Sequence, residues 1–335
     1  MRLPPGRTRG PHWPHYPRRM PAQPAGSIPS SIAFLGPEGT FTEAALHSLG
    51  THSEGETVPA PSVPAALAMA RSGEVDAAFV PLENSVEGSV SPTIDGLAAG
   101  DPLVITREVF LEVDFVLATR PGVGRGDVRR VASHPHALAQ TRGWVAAHLP
   151  GAEVVPAAST ADAARLVAEG AHDAAICPEI AAARYGLDVV GTGLADTPGA
   201  VTRFVQVERP GRLPAPTGAD KTTLTCFVAD RTGVLLDLLT EFASRGISLT
   251  RLESRPTRER LGVYSFSVDC EGHVSDRRVG DALVALHRLC DEVRFQGSYP
   301  RADGRAAAPV HERFADGAFA DAQEWVARLR EGSAG

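Results

Sequence analysis

Residues 31–43 read Ser-Ile-Ala-Phe-Leu-Gly-Pro-Glu-Gly-Thr-Phe-Thr-Glu. A short apolar run suited to a strand enters a glycine-rich turn, and the turn enters a helix start. Thr40 and Glu43 have capping-box spacing, in which a hydroxyl accepts from a backbone N–H three residues on. The helix is predicted from about Thr42. This strand–loop–helix unit decides the fold class because the chain goes on to repeat it.

Working outward, a helix is predicted near 63–71 and a buried strand over 75–80, bounded by Gly73 and Pro81. The polar stretch 81–88 reads as a loop, and Ser91-Pro92 as the N-cap and first turn of the next helix. Residues 103–118 are β-prone but broken by Asp114, as expected of a strand that leaves one sheet and enters another. Then come strand 128–132, the loop Ser133-His134-Pro135-His136, a helix to about Leu149, strand 154–157 and helix 161–169. Strand 173–177, helix 178–185 and strand 204–208 close the region. Repeats of this kind imply an α/β class with parallel or mixed sheets covered by helices. The long crossing strands near both ends imply two lobes: about 31–110 with 191–208, and about 111–190.

Residues 209–219 are rich in proline and glycine and read as a linker. Beyond it the order is strand 221–229, helix 234–244, strands 248–253 and 261–269, helix 275–289 and strand 292–299. That βαββαβ order is a ferredoxin-like module over 220–300. A C-terminal tail, 301–335, carries an amphipathic helix at about 314–330. The N-terminal tail, 1–30, is rich in proline and arginine and reads as disordered, or as translation from too early a start, with Met20 as the alternative.

The chain has 335 residues, enough for two or three domains, and a formal net charge of -7. That charge argues against a nucleic-acid or anionic-membrane partner. No apolar run is long enough to span a bilayer, and no signal-peptide core follows the basic N-terminus. Cys177, Cys226, Cys270 and Cys290 lie far apart, without metal-site spacing, and read as buried thiols of a reducing, cytoplasmic compartment. His134 and His136 lack a matching third ligand, so no metal site is expected. Ser133 beside His134 lacks the glycines of a nucleophile elbow.

Ligands of such sheets bind where strands end and loops lead into helices. Four polar loops qualify. Residues 36–41 offer backbone N–H groups at a helix start, around Thr40. Residues 81–88 offer Glu83, Asn84 and Ser85. Residues 133–136 offer Ser133, with Gln140 shortly after. Thr202 and Arg203 set a hydroxyl beside a guanidinium. The hydroxyl suits polarisation of a leaving group, and the guanidinium suits bidentate grip of a carboxylate. Together they suit a small anionic substrate that must lose oxygen.

Taken in order, these segments resemble the prephenate dehydratase family: Gly36-Pro37-Glu38-Gly39-Thr40-Phe41-Thr42-Glu43, Pro81-Leu82-Glu83-Asn84-Ser85-Val86-Glu87-Gly88, Ser133-His134-Pro135 with Gln140, and Thr202-Arg203-Phe204. Leu249-Thr250-Arg251-Leu252-Glu253-Ser254-Arg255-Pro256 resembles the phenylalanine-binding segment of that family's regulatory ACT domain. The likeness spans about 32–299. His136 stands where the family usually has Gln, Ala200 where it often has Asn, and Thr232-Gly233-Val234-Leu235 where the ACT turn is usually Pro-Gly-Ala-Leu.

The resemblance implies a two-lobed, periplasmic-binding-protein-like catalytic region with a central cleft, followed by an ACT domain. It implies decarboxylating dehydration of prephenate to phenylpyruvate without metal or organic cofactor. The N-terminal tail is too short and proline-rich for a chorismate mutase domain, so the implied enzyme is monofunctional. Arg203 is then the carboxylate clamp, helped by N–H groups near Thr40, and Thr202 the donor to the departing hydroxyl. Asn84, Ser85, Ser133 and Gln140 position the substrate. Phe204 belongs to the substrate site, as does Glu83 unless it only makes a loop hydrogen bond. Phenylalanine is the implied effector, held by Gly233, Val234, Leu235, Glu253, Ser254, Arg255 and Pro256 in a homo-oligomer, a dimer or tetramer. Arogenate dehydratase, with the same chemistry, and a non-catalytic amino-acid-sensing binding protein are the alternatives.

Overall fold

The structure, a computed structural model, describes residues 29–50, 55–256 and 263–332. The predicted N-terminal tail therefore lies outside the described residues up to position 28, as do residues 261 and 262 of a predicted strand. The first lobe contains β1 Ser31–Leu35, α1 Phe41–Ser48, β2 Glu56–Ala60, α2 Val63–Ser72, β3 Ala77–Asn84, β4 Gly88–Ser89, α3 Ser91–Ala98 and β5 Val104–Glu112. The second contains β6 Val116–Thr119, β7 Arg130–Ser133, α4 Pro135–Gln140, α5 Arg142–His148, β8 Glu153–Pro156, α6 Thr160–Ala168, β9 Ala174–Cys177, α7 Glu179–Arg184 and β10 Asp188–Gly191. The chain then returns to the first lobe as β11 Val201–Glu208.

Both sheets are mixed. In the first the order is β2-β1-β3-β11-β5, with β4 beside β3, and in the second β10-β6-β9-β7-β8. β1 runs parallel to β2 and β3, whereas β11 lies antiparallel between β3 and β5. Two short crossings join the lobes, at 113–115 and 192–200, and Val113 N–H donates to the Ala200 carbonyl at 2.7 Å where they meet. The structure departs from the sequence reading in several places. Residues 81–84, read as part of a loop, continue β3, and Gly88 starts β4. β11 starts at Val201, so Thr202 and Arg203 lie inside the strand rather than before it. β2 and β10 were not expected, since proline in the one and a single Val-Val pair in the other blur the strand pattern. The helix expected after the 133–136 loop is divided at Thr141, whose hydroxyl turns back to the Ala137 carbonyl at 2.8 Å.

The C-terminal module has β12 Asp220–Ala229, α8 Val234–Ala243, β13 Leu249–Pro256, β14 Val263–Glu271, α9 Arg277–Leu289 and β15 Glu292–Pro300. Its antiparallel sheet has the order β13-β14-β12-β15, the ferredoxin-like arrangement, with both helices on one face. β13 extends three residues beyond the predicted end at Glu253. A last helix, α10 Asp316–Arg330, is anchored to α9 through Arg277, whose N–H donates to Asp316 and whose guanidinium donates to Gln323.

The other face of this sheet is closed by the first lobe. Tyr299 of β15 is fully buried among Leu103, Ile105, Val205 and Val207 of that lobe. A β-bulge in β15, opposite Thr223, holds Gly297 at φ 120°, a conformation open mainly to glycine. A Cβ there would lie 2.3 Å from the Ile105 carbonyl oxygen of β5. The two domains thus meet backbone to backbone, and only glycine permits it.

Gly297→Ala is expected to push the two domains apart at this point. The combined clash and strain should cost on the order of 2–4 kcal/mol of stability. Chemical denaturation with limited proteolysis of linker 209–219 checks it: a lower midpoint and faster cleavage are expected, and unchanged behaviour of both would count against this view of the contact.

Candidate functional site

The site forms where β3 ends and β11 begins. Thr202 pairs with Asn84 across these strands, and Arg203 with Glu83. The Asn84 side-chain amide is fixed in orientation by its partners. Its Oδ1 accepts two backbone N–H groups, from Val86 at 2.8 Å and Glu87 at 2.9 Å. Both partners are donors, so the amide orientation is fixed. Nδ2 then donates to Thr202 Oγ1 at 2.8 Å. Thr202 is the acceptor in that bond and keeps its own hydroxyl proton to give. Ser85 secures the strand start, its N–H donating to the Val201 carbonyl and its Oγ accepting from Val201 N–H, each at 2.9 Å.

Successive side chains of a strand point to opposite faces. Thr202 and Phe204 share the face beneath α1, while Arg203, Val205 and Val207 lie on the other, where the valines pack with α2, α3 and Tyr299 of the C-terminal module. Here the structure corrects the expected carboxylate clamp. Arg203 is 4% exposed, and each of its three nitrogens is committed. Nε donates to Glu108 of β5 at 2.7 Å, Nη1 to Asp269 of β14, and Nη2 to the Tyr299 hydroxyl at 2.7 Å. Glu83 Oε2 stands 3.8 Å from Nη1. The fork grips carboxylates of the protein instead of reaching into the cleft.

Around it lies a buried network between the domains. Glu108 also accepts from Lys221 at 2.9 Å and from Ala302 N–H at 2.9 Å. Asp269 accepts from Thr223 at 2.9 Å and from Arg251 of β13 at 3.2 Å. Burial alone would raise both carboxyls. The charges of Lys221 and Arg203 outweigh it at Glu108, and those of Arg203 and Arg251 outweigh it at Asp269. Both are held below the usual carboxylate range, Asp269 far below it. Burial would lower Arg203, but Asp269, Tyr299 and Glu108 hold it well above its ordinary value.

Two further expectations are corrected. Ser133 is fully buried and its hydroxyl donates to the Ile176 carbonyl, which ties β7 to β9 rather than serving a ligand. Phe204 is a core residue, stacked on Phe79 with ring centroids 5.8 Å apart. Thr40 is the N-cap of α1, and its hydroxyl accepts from Glu43 N–H at 3.5 Å and donates to the Leu35 carbonyl at 3.2 Å. Its capping role is as expected, but it leaves the backbone at this helix start, not the hydroxyl, for a ligand.

Gln140, expected at the substrate site, is one of several side chains that link the lobes. Gln140 and His136 lie one turn apart on α4, and both reach Glu87 of the first lobe, at 3.2 and 3.1 Å. Arg184 of α7 pairs with Glu38 and with Glu43. His134 is drawn below its ordinary value, by burial and then by His136, and its Nδ1 accepts from His136 N–H. Among the described residues no group of three or more His, Cys, Asp or Glu is arranged to hold a metal ion. No helix among them is long and apolar enough to cross a membrane.

In the C-terminal module Gly233 adopts φ 84° as the N-cap of α8, and Leu235 is exposed. Glu253 and Arg255 pair on the edge strand β13 at 2.8 Å, and Arg255 reaches Asp95 of α3 at 2.7 Å and Ser91 at 3.1 Å. Ser254 and Pro256 are exposed beside them. Glu253 Oε2 is buried without a hydrogen bond, with Arg251 Nη1 at 3.5 Å.

Two family models match the chain: prephenate dehydratase over residues 32–212 and ACT domain over 222–288. A protein of Amycolatopsis methanolica named prephenate dehydratase is 50% identical over 304 residues, which is 90% of this chain and 99% of the relative. The crystal structure of prephenate dehydratase in complex with L-Phe from Arthrobacter aurescens is 48% identical, covers 90% of this chain and 99% of its own, and has a TM-score of 0.86. A structure described as GqqA, a novel type of quorum quenching acylase, is 32% identical, covers 81% of this chain and 97% of its own, and has a TM-score of 0.73.

The depressed Asp269 carboxyl carries a pH signature. In the unfolded chain it titrates near an ordinary pKa of about 4. Its stabilisation is therefore fully present above that value and is lost as pH falls toward the lower folded-state pKa. Asp269→Asn removes this contribution. Thermal midpoints from neutral pH downward are expected to show a wide gap between the parent and Asp269→Asn near neutrality, closing below about pH 4. A gap that stays constant on acidification would contradict the assignment.

Proposed function

Because the chain belongs to the prephenate dehydratase family, we propose that its residues carry the decarboxylating dehydration of prephenate to phenylpyruvate, in phenylalanine biosynthesis, as follows. The ring carboxylate leaves as carbon dioxide. Its bonding electrons enter the ring, which becomes aromatic as the C–O bond to the ring hydroxyl breaks. That oxygen departs as water once it has gained a proton. The protein's task is to orient the ring and stabilise negative charge on the leaving oxygen. A threonine hydroxyl is a poor acid near neutrality, so Thr202 serves as a hydrogen-bond donor to that oxygen, with the proton coming ultimately from solvent.

The observation that carries this reading is the Asn84–Thr202 bond. With Asn84 locked as donor, Thr202 cannot spend its proton on it and keeps it for a ligand. Ser85 and Gln140 border the same region from the two lobes. The backbone at the start of α1, around Thr40, remains the anion-binding element of the reading. Arg203 contributes through the strand, not as the clamp. The 48–50% identity to proteins named prephenate dehydratase supports this reading over acyl transfer.

The chain is regulated by phenylalanine through its ACT domain in this reading, with the effector at 233–235 and 253–256. Glu253 Oε2, an acceptor without a hydrogen bond, suits the ammonium group of an amino acid. β13 is an edge strand, and Leu235, Leu236 and Val284 expose apolar surface on the two helices. Both features support pairing with a second copy, a homo-oligomer, with the effector between copies. A cytoplasmic location belongs to the same reading, supported by four free, buried cysteines.

Purified protein supplied separately with prephenate and with arogenate, and followed by product absorbance, tests the activity. Thr202→Ala is expected to lose about a hundredfold or more in kcat, the cost of one transition-state donor. Asn84→Asp should lose nearly as much: a carboxylate has no N–H to give, so Thr202 turns its proton toward it and away from substrate. Thr202→Ser should keep much of the rate. Near-parental turnover by Asn84→Asp would refute the assigned bond direction.

For regulation, phenylalanine titration of the parent should inhibit, and Glu253→Ala should raise the half-inhibitory concentration by about tenfold or more, the loss of one charge-assisted contact. Equal inhibition of both would move the effector elsewhere.

A further inference from the structure

The dehydration chemistry uses only one face of β11, yet the other face carries Arg203, whose three nitrogens all bond to buried partners. Resting on the dehydratase reading above, we infer that Asp269 of the ACT domain is a positioning residue for catalysis: by holding Arg203 it fixes the start of β11, and with it the Thr202 hydroxyl.

The geometry supports this in three steps. Thr202 and Arg203 are adjacent on one strand, so the backbone cannot shift at one without shifting at the other. The register of β11 against β3 slips by one residue directly after Arg203, between Arg203 and Phe204. On the β3 side, which bears Asn84, the ladder is thus interrupted at the site, while the β5 side pairs without a break from Val201 to Gln206, and side-chain contacts to Arg203 supplement the one intact ladder. Those contacts come from both domains. Glu108 holds Nε from the catalytic lobe, while Asp269 and Tyr299 hold both Nη atoms from the ACT sheet. Arg203 Nη2 donates to the Tyr299 hydroxyl, Tyr299 donates to Thr223, and Thr223 donates to Asp269. This directed chain returns to the carboxylate that also holds Nη1.

The same carboxylate has a second cation. Arg251, on the strand that bears Glu253, donates to Asp269 through Nε and Nη2, while its Nη1 stands unbonded beside Glu253 Oε2. An ammonium group at Glu253 competes with Arg251 for that oxygen. A change at Arg251 alters how Asp269 divides itself between Arg251 and Arg203. Asp269 is thus the atom-level meeting point of effector strand and catalytic strand, and a shift there acts on catalysis by moving a donor. For the effector to regulate, it must bind the two arrangements of this node with different affinity.

The test compares kcat and KM for prephenate in the full-length parent, Asp269→Asn, Thr202→Ala and the double variant, with folding checked by thermal melting. The parent must turn over prephenate; absence of turnover would refute the dehydratase reading and this one with it, before any variant is compared. Asp269→Asn is expected to lower kcat about tenfold or more, a typical cost of misplacing a reacting group, with KM changed less than about threefold. In the Thr202→Ala background, where the positioned hydroxyl is gone, the same change should cost less than about twofold, because residues that act through one another are not additive. A general structural defect would cost the same factor in both backgrounds, and that result overturns the inference. So does parental kcat in Asp269→Asn. Where Asp269→Asn fails to fold, Tyr299→Phe removes one hydroxyl from the same chain. It is expected to show a smaller kcat loss that likewise disappears in the Thr202→Ala background, and its absence overturns the inference equally. Phenylalanine should still bind Asp269→Asn by calorimetry, while the ratio of inhibited to uninhibited rate moves toward one. Undiminished inhibition would refute the role as meeting point.

Discussion

Arg203 carries a permanent charge where water hardly reaches, and the arrangement of the domains follows from the need to satisfy it. Taking a guanidinium out of water costs several kcal/mol unless ion pairs and hydrogen bonds offset it. No single strand neighbour offers enough. Glu108 supplies one carboxylate from within the lobe, and the remaining two nitrogens hydrogen-bond to partners on the ACT sheet, with Glu83 3.8 Å from Nη1. Lys221 then balances Glu108, and Arg251 balances Asp269. Each member stabilises its neighbours, so removing one leaves a buried charge unpaired, which costs far more than an exposed pair contributes. A network of this kind favours one docking geometry over all others. Apolar contact alone, around Tyr299, would tolerate sliding; the fork of Arg203 does not.

The insertion of β11 antiparallel between β3 and β5 makes this possible. A strand returning from the second lobe brings its first residues to the end of β3, where a helix-bound loop would otherwise stand. Alternation then divides its work. Thr202 and Phe204 face α1, where Phe204 completes a core and Thr202 meets Asn84. Arg203, Val205 and Val207 lie on the other face, where Arg203 meets the ACT sheet and the valines pack with α2, α3 and Tyr299. One strand therefore carries the proposed catalytic hydroxyl on one side and the contact with the ACT domain on the other. The Gly297 bulge is the complement of this plan on the ACT side, since it lets β15 come close enough to β5 for the ion pairs to form at all.

The sequence reveals the units but not their partners. The capping pair Thr40 and Glu43, the turn at Gly36 and Gly39, and the βαββαβ order announce themselves locally, because caps, turns and periodicity are short-range signals. The direction of β11 does not, because it depends on which strands flank it, and those lie far away in sequence. For the same reason Ser133 and Phe204 seemed available to a ligand: next to site loops, a buried polar or aromatic residue looks the same whether it faces cleft or core. Arg203 is the sharpest case. Its residue type suits a substrate carboxylate, and the chemistry it performs is carboxylate recognition. The carboxylates, however, are Glu108 and Asp269, separated from it by 95 and 66 residues. Nothing near Arg203 in sequence distinguishes a foreign carboxylate from one of the protein's own. The signal that might have helped is Asp269 itself, an acid in the middle of an apolar strand, which asks for a buried cation somewhere.

The contacts across the cleft differ in kind from those across the domain seam. Arg184 with Glu38, and His136 with Glu87, are largely exposed pairs, and such pairs contribute little and weaken with salt. The covalent connections between lobes are two short crossings that meet in one backbone bond from Val113 to Ala200. By contrast, the first lobe and the ACT sheet share an aromatic residue in one core and a saturated, buried ion network. The mechanical consequence is uneven. The buried seam holds the first lobe to the ACT domain through saturated ion pairs, whereas the lobes are joined by exposed pairs together with Arg184 on the buried Glu43 and Gly39 packed against α6 and α7. In the proposed reading the placement of Thr202 depends on the buried seam, whose contacts cost much to break. A regulator that must change the rate without opening the fold has one economical place to act, the seam, because there a small change in charge sharing is felt by a strand that the cleft cannot do without.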